Sequence, residues 1–372
     1  MKIALVHMRH AHTGGTERYL NLLALEMAEH GHSVTIICRS HEELEHPNIR
    51  FVTLRPLSIG KSQRMWRFAK AVERHIRSVD YDLVYGLGKT WTHDIIRIGG
   101  GSHKRYLENM PEHKLRKKDR VSLALEARAF QPGNYQLVIA NSQMCADEIA
   151  EDFDVPVDKI VMIHNSVSLE RFQREALQDE AIALRRSFEI AEETLLYLFL
   201  GTGYERKGLE PLLQAFSLAD FGARDARLLV VGYDSHLEAY KQRTRELEIE
   251  GKVVFAGGRR DAEVCYAAAD VYVLPTHYDP FANTTLEALA AGLPVITTKT
   301  NGGSEVIYPA VGSVIPSSGD IDLLRQALEY WSDEDLRATT RIAARACAGR
   351  YDHRVVMAET RQLLEDFAAT KP

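Results

Sequence analysis

DVYVLPTHYDPFANTTLEALAAGLPVITT, Asp270 to Thr298, reads as a strand, a polar loop, a helix and a second strand. DVYVLP (270–275) and PVITT (294–298) are short β-branched and apolar runs bounded by turn residues. Between them Leu286, Leu289, Ala290 and Leu293 recur at helical spacing and stop at Gly292-Leu293-Pro294. Asp279 precedes Pro280, which biases it away from αR, so it belongs to the loop. Glu287 falls in the first turns of the helix. Two acids so placed can grip two ends of one ligand lying over the helix N-terminus. The plain structural alternative is a capping acid beside a solvated helix glutamate.

The same alternation runs through the chain, the pattern of α/β proteins with parallel sheets. Strands are expected at 2–7, 33–38, 49–54, 82–87, 136–142 and 159–167, with helical stripes on Tyr19 to Ala28 and Met65 to Val79. A polar, charged connection follows Phe172. Strands resume at 195–203, 226–232, 252–257, 270–275 and 294–298. Two Rossmann-like domains follow, 1–170 and 171–352, the first completed by a C-terminal helix at about 353–372. Ligands of open α/β sheets bind beyond the carboxyl ends of the strands. The polar, glycine-bearing loops HTGGTE (12–17), GGGSH (99–103), GTGYERKG (201–208) and PTHYDPFANTTLE (275–287) all lie there.

Composition narrows the classes. A net charge of -6 argues against generalised nucleic-acid binding. The four cysteines show no CxxC or Cys/His spacing, which suggests neither a disulfide framework nor a zinc site. KIALVHM at the start is too short for a signal-peptide core, and no apolar run reaches membrane-spanning length, so a cytoplasmic location is expected. A local basic segment does exist: Lys104, Arg105, Lys114, Arg116, Lys117, Lys118 and Arg120 stand against Glu108, Glu112 and Asp119.

GTGYERKG fails as a Walker A loop, because Gly208 is followed by Leu209-Glu210, and GxGxxG fails in both glycine loops. What remains is Arg206 and Lys207 at the start of a helix beginning near Leu209. Cations there oppose the helix dipole, and they make sense if an anion lies between them and the helix N-terminus. Asp80-Tyr81-Asp82 and Asp152-Phe153-Asp154 both spell DxD, but one abuts a strand and the other a polar turn. No metal is expected. Arg206, Lys207 and helix N-termini can supply the positive charge instead.

Together these residues resemble the family 4 retaining glycosyltransferases of GT-B fold, and more narrowly the lipopolysaccharide core glucosyltransferase I group. The resemblance spans Gly14-Gly15, DIIRIGGGSH, VIANS, IHNSV, GTGYERKG, FAGGRRD, AAADVYVLP and DPFANTTLEALAAGLPVITT, whose acids match the family's E-x7-E motif. It implies two Rossmann-like domains facing across a cleft, the first for the acceptor and the second for the nucleotide sugar, with a UDP-sugar as donor substrate and no other cofactor. It also implies a saccharide or glycolipid acceptor, and peripheral contact of the basic segment with the anionic inner membrane. By the same resemblance Glu287 holds the ribose, Asp279 faces the sugar hydroxyls, and Arg206 and Lys207 bind the diphosphate. Arg259, Phe281, Ala282, Asn283 and Thr284 line the donor site, Gly14 and Gly15 let the first loop approach it, and His103 lies near the sugar's reactive face. The chain departs from the family at Asp279 (usually Glu), Thr202 (often Arg), Gly100 (often Asp) and Ser166 (usually Gly).

The implied reaction is transfer of a hexose, glucose first, with retention. A covalent Asp or Glu adduct and a same-face route both remain open on the residues alone. The resemblance favours the same-face route, in which the leaving phosphate takes the acceptor's proton. Two further readings stand beside it: a non-catalytic nucleotide-sugar sensor, and a UDP-sugar epimerase on the same scaffold.

Overall fold

A strand that is apolar on both faces has to be covered on both, and the chain meets that demand twice. The computed structural model describes residues 1–12, 14–110 and 114–371. It divides into two compact units, Met1–Asn165 with His353–Pro372, and Ser166–Asp352.

The first unit runs β1 (Lys2–Val6), α1 (Gly15–Glu29), β2 (Ser33–Cys38), β3 (Ile49–Thr53), α2 (Gly60–Ile76), β4 (Leu83–Gly86) and β5 (Ile95–Ile98). It continues through α3 (His103–Glu108), α4 (Lys117–Ala129), β6 (Leu137–Ala140), α5 (Gln143–Phe153) and β7 (Ile160–Met162). Among the described residues its strands lie parallel in the order β3-β2-β1-β4-β5-β6-β7. Pairing of Ile3 with Val34 on one side and Leu83 on the other fixes the register of its centre. β5 adds a strand that the apolar runs do not announce. Four residues followed at once by three glycines are too short to signal, and pairing with β4 and β6 makes the strand.

The second unit holds α6 (Gln178–Ser187), β8 (Leu195–Leu200), α7 (Tyr204–Lys207), α8 (Leu209–Leu218), β9 (Ala226–Val231), α9 (Leu237–Glu246) and β10 (Val253–Gly257). After these come α10 (Ala262–Ala268), β11 (Val271–Leu274), α11 (Asn283–Ala290), β12 (Val295–Thr298), β13 (Gly312–Ile315), α12 (Ile321–Tyr330) and α13 (Glu334–Gly349). The order is β10-β9-β8-β11-β12-β13, again parallel. β13 is the other strand that the sequence pattern misses: a short edge, paired among the described residues with β12 alone. Tyr197, Phe199, Leu228, Val230, Val273 and Leu289 belong to one buried core that seats α8 and α11 on the sheet.

The last helix, α14 (His353–Thr370), belongs to the first unit. Val356, Met357 and Leu364 are buried, Arg361 pairs with Glu26 of α1 at 3.0 Å, and His32 Nε2 meets Glu365 at 2.8 Å.

Strand order places the sites. Each sheet reverses its winding once, between β1 and β4 in the first unit and between β8 and β11 in the second, and ligand loops emerge at such points. Arg206 and Lys207 leave the end of β8, and Asp279 leaves the end of β11.

Candidate functional site

The β8 and β11 loops are locked together before any side chain of interest is placed. Gly208 joins α7 to α8 with φ 76°, a conformation that suits glycine, and a Cβ there would fall 1.8 Å from the Pro275 carbonyl oxygen. Only glycine lets the two backbones approach. The Arg206 carbonyl then accepts from Thr276 Oγ1 at 2.8 Å and from the His277 N–H at 2.9 Å. A one-turn helix therefore precedes α8, and Arg206 and Lys207 occupy its last turn, one residue ahead of the helix start at Leu209.

From there both cations converge on one atom. Arg206 Nη1 donates to Asp279 Oδ2 at 2.7 Å and Lys207 Nζ donates to the same oxygen at 2.5 Å, while Asp279 Oδ1 accepts from the Phe281 N–H at 3.2 Å. The Asp279 and Lys207 side chains are almost buried, that of Arg206 about a quarter exposed. Burial alone would raise the Asp279 carboxyl. Lys207 and Arg206 outweigh it and hold it below the usual carboxylate range. Burial lowers the Lys207 ammonium from its ordinary value, with Asp279 opposing; while it stays protonated, two cations against one acid leave the cluster with one positive charge in excess, in a setting where unpaired charge is costly.

Asn301, fully buried, pins the loop that carries Asp279 to the start of α11. Its Oδ1 accepts from Ala282 N–H at 3.1 Å and Gly303 N–H at 3.0 Å, and its Nδ2 donates to Thr285 Oγ1 and Thr297 Oγ1, each at 3.0 Å. Phe281 and Ala282 are buried in this turn, and Asn283 and Thr284 open the helix. Glu287 lies one turn on. Its Oε2 accepts from the buried Tyr266 hydroxyl at 3.0 Å, and burial, then the Glu287 charge, keep that phenol protonated as a donor. Arg259 stands apart from the cluster: Asp261 holds it through Nε at 3.0 Å and Nη2 at 2.6 Å.

In the first unit Gly14 caps α1 with φ 111°, again a glycine conformation, and Gly15 is the first residue of that helix. Thr13, between His12 and Gly14, lies outside the described residues. His103 opens α3, and two acids of α4 fix it. Its N–H donates to Glu126 Oε1 at 2.8 Å, and its Nε2 lies 3.3 Å from Asp119 Oδ1. Asp119 Oδ2 also accepts from the Arg116 N–H at 2.8 Å, so one carboxylate ties the imidazole to the helix start. Neither acid carries a sequence signal, because their relation to His103 exists only once α3 and α4 pack.

The DxD pairs serve the scaffold. Asp82 Oδ2 accepts from the Lys2 N–H at 2.6 Å, and Asp152 pairs with Lys104 at 2.7 Å and Arg105 at 2.9 Å. Lys104 and Arg105 are thereby paired within the basic segment, Arg105 with Glu151 as well at 2.7 Å, whereas Lys114, Arg116, Lys117, Lys118 and Arg120 are exposed. Residues 111–113 of that segment, Glu112 among them, lie outside the described residues. Among the described residues no group of three or more His, Cys, Asp or Glu could hold a metal ion, and no helix is long and apolar enough to cross a membrane.

Residues 13–171 match the family described as Glycosyltransferase Family 4, and residues 181–346 match Glycosyl transferases group 1. A probable transglycosylase of Burkholderia thailandensis is 30% identical over 348 residues, 90% of this chain and 86% of that one. The lipopolysaccharide glucosyltransferase WaaG of Escherichia coli is 24% identical over 323 residues, 85% of each chain. A crystal structure of WaaG superposes with a TM-score of 0.81 at 22% identity, covering 97% of this chain and 99% of that one. Anabaena HepE in complex with UDP and glucose gives 0.73 at 19% identity, covering 98% and 100%.

Glu126 supplies a pH test of the α3–α4 arrangement. Burial raises its carboxyl to about 7, with the His103 and Lys104 N–H groups opposing. A carboxyl raised in the folded state binds more protons there than in the unfolded chain, so stability falls as pH rises from about 4.5 through about 7. Glu126→Gln should flatten that slope in thermal melts across the window. An unchanged slope would mean that Glu126 ionises normally.

Proposed function

The chain belongs to the GT-B glycosyltransferases, its halves matching Family 4 and group 1, and on that premise we propose that it moves a hexose, glucose first, from a UDP-sugar to a saccharide or glycolipid acceptor with retention. The acceptor belongs to lipopolysaccharide core or a related cell-surface glycan, a reading supported by the likeness to WaaG. One observation carries the donor assignment: Arg206 and Lys207 meet on a single oxygen of Asp279 where β8 and β11 end, with one positive charge left over.

A nucleoside diphosphate leaves with growing negative charge. In this reading Arg206 and Lys207 stabilise that charge more in the transition state than in the ground state, and the first N–H groups of α11 add to the field. Because Asp279 aligns both cations, they need no reorganisation at the moment of reaction. Glu287, fixed by Tyr266, takes the ribose hydroxyls, and Asp279 takes hydroxyls of the sugar. By the family resemblance His103 is assigned to the sugar's reactive face, and transfer follows the same-face route with the departing phosphate accepting the acceptor's proton. Arg259 completes the donor site once Asp261 releases it. No metal takes part.

The first unit would meet its acceptor at a membrane surface. Basic α4 packs against α2, which carries exposed Lys61, Arg67 and Lys70, and Leu57, Ile59, Trp66 and Leu115 are exposed nearby in sequence. Each surface cation contributes about 1 kcal/mol toward an anionic leaflet within a Debye length. Cosedimentation with phosphatidylglycerol-containing vesicles should occur and weaken with salt; no binding at low salt would remove the membrane from the account.

The two acids should separate by role in assays run throughout in excess EDTA, where the unmodified enzyme keeps its full rate. Glu287→Gln should weaken UDP and UDP-sugar alike. Asp279→Ala leaves two cations for the diphosphate, so UDP affinity should hold, while transfer and discrimination between epimeric UDP-hexoses collapse. Equal loss of UDP affinity in both variants would show that the acids do not divide the donor. Loss of transfer in EDTA restored by manganese would overturn metal independence.

A further inference from the structure

Arg97 is the third residue of β5, with 2% of its surface exposed. Its guanidinium lies 4.0 Å above the Tyr19 ring, and Nη2 donates to Asn165 Oδ1 at 3.1 Å. Nε is sealed from water with no hydrogen-bond partner. Among the described residues no carboxylate comes within ion-pair distance of it. The nearest groups are neutral: the Tyr19 and Tyr85 hydroxyls bond to each other at 2.9 Å, and burial pushes the Tyr85 phenol well above its ordinary range.

The buried Arg185 guanidinium, by contrast, is bonded at every nitrogen. Arg185 reaches Asp270 at 2.8 Å and the carbonyl oxygens of Ala268, Ala191 and Thr194. Arg337 donates to two carbonyls at the end of α12. Arg97 has one neutral acceptor and an aromatic face, too little to offset removal of a full charge from water. A methionine of similar length would pack there without that penalty.

What lies beside it is backbone without side chains. After Ile98 come Gly99 and Gly100, both exposed. A Cβ on Gly99 would stand 3.6 Å from Arg97 Nη1, and one on Gly100 would meet nothing within 4 Å. A ligand oxygen has room at Nη1, at the carboxyl end of a strand, six residues before His103.

We propose that Arg97, Asn165 and the Gly99–Gly100 backbone form an oxyanion subsite in the first unit that takes a phosphate group of the acceptor. The planar fork of the guanidinium suits two phosphate oxygens, and the buried setting makes the pairing strong. The acceptor assignment rests on the reading of the first unit as the acceptor-holding half; the subsite itself does not. The donor diphosphate is the other source of the same chemistry.

The test uses the full chain with inorganic phosphate, glucose 6-phosphate and glucose at constant ionic strength, by calorimetry, with UDP saturating so that the second unit's cations are occupied. UDP alone is titrated in parallel. Phosphate and glucose 6-phosphate should bind and glucose should not, and Arg97→Met should weaken both phosphates at least tenfold without changing UDP affinity. Its Tm should hold or rise, since a poorly paired buried charge is gone. Arg97→Lys, which keeps the charge but not the fork, should retain part of the phosphate affinity and covers the case in which the methionine variant misfolds. Tenfold weaker UDP with no phosphate binding at the saturated enzyme would assign the subsite to the donor diphosphate instead. Unchanged phosphate and UDP affinities with a lowered Tm would overturn the proposal and leave Arg97 as packing. Should UDP fail to bind the unmodified chain at all, the donor reading falls, and Arg97-dependent phosphate binding still decides the subsite.

Discussion

One carboxylate oxygen shared by two cations sets the terms for the second unit. Asp279 Oδ2 cannot neutralise Arg206 and Lys207 together, so the cluster carries a surplus positive charge in a nearly closed setting. A lone buried cation would be expelled or deprotonated, and a balanced pair would have no use for a further anion. Two against one is stable enough to form and incomplete enough to bind. Removing Lys207 would balance the charge at the expense of that incompleteness.

The scaffold around the cluster follows from this requirement. Gly208 and Pro275 touch backbone to backbone, and Thr276 and His277 share the Arg206 carbonyl, which fixes the two loops to each other. Asn301 uses both ends of its amide to hold the Asp279 loop, the Gly303 backbone and the start of α11 in one network. Fully satisfied polar networks of this kind rigidify their surroundings, so the charges are held in place without a ligand. The first unit applies the same economy to His103, whose ring and backbone are each met by an acid of α4.

Much of the fold was legible because parallel strands are written as apolar runs and their helices as 3.6-residue stripes. β5 and β13 escaped, being four residues long beside glycines, with pairing partners rather than composition to define them. At the site, sequence showed Asp279 in a loop and Glu287 in a helix, and it showed Arg206 and Lys207 near a helix start. It could not show that Asp279 serves both cations, since those residues lie 72 and 73 positions apart. Tyr266 beneath Glu287, Asp119 beside His103 and the underpartnered Arg97 were invisible for the same reason. Each is defined by what a side chain meets, or fails to meet, after packing.

In the proposed function the surplus charge at Asp279, Arg206 and Lys207 reads the second phosphate of the donor. Calorimetric titration of uridine, UMP and UDP into the unmodified chain and Lys207→Gln tests it directly. At least a tenfold gain from UMP to UDP is expected in the unmodified chain, about 1.4 kcal/mol, with most of that step lost in the variant and uridine binding unchanged. An UMP-to-UDP step of the same size in both proteins would contradict it.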